Sequence, residues 1–124
     1  MNIETSISIP DKIYRKNSID IGVAVNVDLS DYKIHAEVFD RFYSSIRLNT
    51  EDNGGSDDEI EIIDADKGTF VLHIAKGQTE LFHLYSYLEI ILIDEDGKEF
   101  TAYFGVIKFQ DDIYMRVVRW ANIA

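Results

Sequence analysis

Cysteine is missing from all 124 residues. Its absence excludes a disulfide framework, a thiolate metal site and a cysteine nucleophile. Proline occurs once, at Pro10. Basic residues are scarce, with 12 Lys and Arg against 23 Asp and Glu, for a formal net charge of −11. Nucleic acids and anionic membrane surfaces are gripped through basic faces, so neither is expected as a partner. The acidity favours solubility or a basic protein partner. No apolar run approaches the ~20 residues of a membrane span. Met1-Asn2-Ile3-Glu4 lacks a basic segment leading into an apolar one. The expectation is no signal peptide and a soluble product made in the cytoplasm. There is no G-x-S-x-G elbow, no G-x-G-x-x-G turn and no phosphate-binding loop.

What is present reads as strand. Hydrophobic residues make up 46% of the chain, enough for one domain with a core of its own. Asn2 to Ile9 alternates loosely up to Pro10, which suits an outer strand. Ile19 to Val27 alternates cleanly, with β-branched apolar residues at every odd position. That is the period of a strand with one buried and one wet face. Asp28 to Asp31 turns, Tyr32 to Val38 alternates again, and the two runs are predicted to form a hairpin. Phe42, Tyr43, Ile46 and Leu48 suggest a short irregular strand, and Asn49 to Asp58 a loop.

Residues 60–109 carry the clearest pattern. Glu59 to Ile62 alternates, Asp64-Ala65-Asp66-Lys67-Gly68 turns, and Phe70, Leu72 and Ile74 share one face of the returning strand. Lys76 to Leu84 reads as a helical turn or a crossover. Tyr85 to Ile93 is apolar on both faces apart from Ser86 and Glu89, the pattern of a central, well-covered strand. Asp94 to Gly97 is a hairpin turn, and Phe100 to Phe109 returns. The sum is an all-β, antiparallel sandwich of about eight strands over residues 1–110. A tail follows at 111–124.

Candidate chemistry is thin. His35, His73 and His83 are not spaced as metal ligands. Asp64-Ala65-Asp66 and Asp94-Glu95-Asp96-Gly97 place hard oxygen ligands close together, but Asp and Gly are also what turns require. Asp57, Asp58, Glu59 and Glu61 offer carboxylate pairs, as any chain this acidic would. No cofactor and no metal is expected. The tail holds Tyr114, Arg116, Arg119 and the single tryptophan, Trp120. Trp and Arg carry energy at interfaces, and these cations stand out in an acidic chain, so the four are the candidate docking residues.

The order of these motifs resembles the N-terminal domain of phage baseplate upper proteins and related small immunoglobulin-like domains of tailed-phage structural proteins. The residues that carry the resemblance are Ile19 to Val27, Asp64 to Phe70, Thr79 with Leu81, Tyr85-Ser86-Tyr87, Asp94 to Lys98, and Phe100 to Phe109. Lys16-Asn17-Ser18 departs from the Gly-Asp usual before the early strand. Baseplate upper proteins also continue into a long receptor-binding assembly, so host adhesion does not carry over. The resemblance implies an immunoglobulin-like, non-enzymatic virion component of the tail, baseplate or head, oligomeric within an assembly and docked to other virion proteins. The alternative is a β-sandwich module that binds carbohydrate or a cell surface, which predicts exposed coplanar aromatics and admits calcium at the Asp turns.

Overall fold

The computed structural model describes residues 3–9, 13–14, 18–40, 45–50, 60–75 and 85–110. Nine strands occur among them: β1 (Thr5–Ser8), β2 (Ile13–Tyr14), β3 (Ile19–Val25), β4 (Lys33–Phe39), β5 (Ser45–Asn49), β6 (Ile60–Asp64), β7 (Thr69–Ile74), β8 (Tyr85–Ile93) and β9 (Glu99–Gln110). The smaller sheet runs β1-β3-β7-β6 and is antiparallel throughout. The larger runs β2-β9-β8-β4-β5, antiparallel except for the two-residue β2, which lies parallel to the end of β9.

Period-two alternation builds the interior. Ile19, Ile21, Val23 and Val25 on β3 face Ile34, Ala36 and Val38 on β4 and Leu88, Ile90 and Leu92 on β8 within a single buried cluster. Phe70 and Phe109 are its largest members, and Leu29 closes it at one end. Burying a side chain of this size contributes about 1.5–3 kcal/mol, and slipping any strand by one residue would turn its whole stripe outward. This is an all-β sandwich, as the alternation predicts.

The predicted hairpin of the second and third strands does not form. β3 and β4 lie in different sheets, joined by a 3₁₀ turn at Leu29–Asp31. Asp28 caps that turn, accepting from the Ser30 amide at 2.9 Å and the Ser30 hydroxyl at 2.6 Å. Alternation fixes which face of each strand is buried but not its neighbour, and two strands that face each other across the core read just as a hairpin does.

The Asp64–Gly68 turn anchors the same end. The Ala65 carbonyl accepts from the Leu29 amide at 2.9 Å, and the Gly68 carbonyl accepts from Val25 at 2.9 Å. Gly68 has a φ of 72°, and a Cβ there would collide with the carbonyls of Val25 and Val27. Gly97, in the β8–β9 turn, has a φ of 82° but open space around it. Asp94 organises that turn by accepting from the amides of Asp96 (2.9 Å) and Lys98 (2.8 Å). On β9 the register shifts opposite Ile90 and Ile91, leaving Ala102 as the extra residue. Its carbonyl accepts from the Thr5 hydroxyl at 2.6 Å, tying the two sheets together at one edge.

Two outcomes are expected. Gly97→Ala should cost only the left-handed backbone penalty, about 1–2 kcal/mol, whereas Gly68→Ala should cost more than about 3 kcal/mol, both read by chemical denaturation. The second concerns Asp28, whose carboxyl sits below its ordinary value of 3.8 because the Ser30 hydroxyl and then the Ser30 amide donate to it. The folded state therefore binds that proton more weakly than the unfolded chain. Its stabilisation is full above pH 3.8 and is lost as pH falls through the lower folded value. Asp28→Ala should lower the melting temperature at neutral pH and make progressively less difference in acid.

Candidate functional site

An antiparallel sheet in a two-layer sandwich has one face in the core and one outside. The outward positions of β4, β5, β8 and β9 form rows that the pairing register defines. The central row is Ser45, Phe39, Tyr87 and Val106. One step along the strands lies Arg47, Glu37, Glu89 and Phe104. One step the other way, β8 and β9 place Tyr85 beside Lys108.

The centre of this face is apolar and open to solvent. Tyr85, Phe104 and Val106 are 56%, 55% and 56% exposed. Tyr87 and Phe104 stack with centroids 5.8 Å apart and planes 22° apart, and Phe39 packs against them at 5.6 and 6.3 Å. The Lys108 ammonium rests 5.8 Å from the centre of the Tyr85 ring. Ordinary soluble surfaces scatter their apolar residues singly, and a contiguous apolar cluster marks a contact surface.

Charge is arranged around that cluster. Glu37 and Glu89 stand directly opposite each other on β4 and β8, a like-charge pair that costs stability where it is unrelieved. Arg47 relieves one side, its Nε donating to Glu37 at 2.8 Å. The carboxylate of Glu89, half-buried between Glu37 and Phe104, has no hydrogen bond or ion pair among the described residues. His35, Glu37, Arg47, Asn49, Glu89 and Ile91 line a shallow groove of about 360 Å³ beside the aromatic cluster.

Of the sequence-predicted candidates, His35 lies on this face, in the groove lining. Tyr114, Arg116, Arg119 and Trp120 lie outside the described residues, as do His83, Asp57, Asp58 and Glu59. His35 and His73 point away from the core on different sheets. His73 bridges strands of the smaller sheet, with Nδ1 2.7 Å from Asp20 and Nε2 3.8 Å from Glu61. The Asp94 carboxylate is occupied by turn amides, and Asp64 accepts from the Lys67 amide at 3.3 Å. Among the described residues no group of three or more His, Cys, Asp and Glu is placed to hold a metal ion.

The aromatic face itself was missed in the sequence, where Tyr85 to Ile93 reads as a well-covered strand. The strand is central, but only its Ser86, Leu88, Ile90 and Leu92 side is buried. No protein-family model matches the chain, and no curated protein matches it either.

The Arg47–Glu37 pair sets the expected outcome for this face. Arg47 is 81% exposed, so its pairing is screened by solvent. Arg47→Met should destabilise by less than about 1 kcal/mol at low salt, the loss coming from unrelieved Glu37–Glu89 repulsion. Denaturation in high salt should shrink the difference toward zero.

Proposed function

We propose that this chain is a non-enzymatic structural component of a tailed-phage or prophage virion, an immunoglobulin-like sandwich that works by protein–protein docking. The observation that carries the docking part is the outward apolar cluster of exposed Tyr85, Phe104 and Val106 with half-buried Phe39 and Tyr87, on a chain with a large excess of acid. Strand order supports the immunoglobulin-like part. Lettered in chain order, with β2 as an accessory to the first strand, the smaller sheet reads A-B-E-D and the larger G-F-C with an added C′. That is the order of immunoglobulin-type sandwiches. The virion part rests on the resemblance carried by Asp64 to Phe70, Tyr85 to Tyr87 and Asp94 to Lys98. The segment 111–124, with Tyr114, Arg116, Arg119 and Trp120, is proposed as a second docking element.

Carbohydrate binding is the competing reading, favoured by the polar groove beside the aromatic cluster. Against it, Tyr87 and Phe104 stack on one another, so those ring faces are spent on each other and do not form a flat platform. A glycan-binding screen separates the two readings.

Quantitative mass spectrometry of purified particles from the source organism tests the virion role. The protein should appear at a fixed integer ratio to a head or tail protein. Its absence from intact particles, while abundant in the cell, would remove this reading. Truncation after Gln110 should leave a folded domain that no longer enters particles, and loss of the fold on truncation would show the tail to be core.

A further inference from the structure

The outward face of the larger sheet differs in charge from that of the smaller sheet. At its described strand positions, Lys33, Arg47 and Lys108 balance Glu37, Glu89 and Glu99. The outward strand positions of the smaller sheet carry Asp20 and Glu61 with no lysine or arginine. Two copies of a chain with a net charge of −11 repel unless they meet on a balanced surface. The larger sheet provides one, with an apolar centre.

We propose that this face receives a second copy of the same chain, related by a two-fold axis lying along the Phe39–Tyr87–Val106 row and crossing the strands. The inference rests on the docking reading given above. Such an axis lays the central row of one copy on the central row of the other. It also brings each row on one side over the row on the opposite side of its partner. The two flanking rows are complementary, since one holds Glu37 and Glu89 and the other holds Lys108. Lys108 of each copy arrives over Phe104 of the other. It is then one strand spacing, about 4.8 Å, from Glu89, within reach of a lysine side chain. Two symmetric ion pairs result, and Glu89 gains the partner it lacks among the described residues. Tyr85 of the second copy covers the same carboxylate and excludes water from the pair.

The dimensions suit a dimer. Four strands at about 4.8 Å and seven to nine residues at about 3.3 Å give a face of roughly 19 by 26 Å. Protruding rings raise the accessible area above that flat projection of about 500 Å², toward the ~800 Å² per partner of a standard interface. Two sheets meeting this way also form a second sandwich layer, the packing that sheets already adopt in the core.

Sedimentation velocity of the full chain, over a concentration series, is the test. The wild type should sediment as a dimer. Phe104→Lys and Val106→Glu change solvent-exposed positions, and each should give a monomer that keeps the wild-type far-UV circular-dichroism spectrum and loses only the concentration-dependent part of the melting temperature. Ile63→Lys, on the exposed side of the smaller sheet, should leave the dimer intact. Lys108→Glu and Glu89→Lys should each weaken association by about tenfold or more, and the two together should restore it to within about threefold of wild type. A monomer at every concentration overturns the inference. So does a dimer indifferent to Phe104→Lys, or a charge swap that fails to restore association. A monomeric protein that enters particles, but fails to do so as Phe104→Lys, would assign the face to another virion protein. A dimer absent from particles would remove the virion reading and leave this inference standing.

Discussion

Among the described residues, everything depends on the strands forming two layers. Strands alternate their side chains between faces, and two sheets enclose one interior. Inward positions fill a single cluster that runs from Ile19 on β3 to Phe109 on β9. Outward positions have no helix or third sheet to cover them among the described residues. Large apolar residues placed outward on these strands stay half-buried, as Phe39 and Tyr87 do, or exposed, as Tyr85, Phe104 and Val106 are, and retaining several of them together costs solubility unless something covers them. The aromatic face of the larger sheet follows from that constraint.

Much of the interior was legible from the sequence. The β-branched residues at odd positions from Ile19 to Val25 are buried as the alternation requires, and so are Phe70, Leu72 and Ile74. The Asp-Gly signal at 94–97 became a turn whose Gly97 takes a positive φ. Pairing was less legible, because a side-chain period carries no information about which strand lies alongside. The β3–β4 link shows this: Asp28 and Ser30 read as generic turn residues, yet they cap a crossing between sheets. The aromatic face was hidden for a related reason. Tyr85, Tyr87, Ile91 and Ile93 made β8 apolar on both sides, which normally means cover on both sides. In a chain read as nearly all strand, with little helix to supply that cover, the same pattern marks an open surface.

Acidity is distributed in a way that composition alone does not show. Several carboxylates act locally on the backbone: Asp28 caps, Asp94 organises a turn, and Asp64 steadies the next one. Such groups are conformational residues that happen to carry charge. Glu37 and Glu89 differ, because they face each other on a sheet surface where the strand charges balance with them included. A surplus of acid disfavours self-association, and the balanced face is where the proposed second copy docks.

The short parallel ladder between β2 and the end of β9 has a mechanical meaning. Ile13 lies beside Phe109 and Tyr14 beside Gln110, so a segment near the start of the chain runs alongside the last described strand in the same direction. Tension applied between those two ends drags the strands past each other lengthwise and loads the rungs of the ladder together. An antiparallel edge pulled from one end peels open rung by rung. Force that passes the β1–β3 edge and reaches β2 and the end of β9 therefore loads this two-rung ladder in shear.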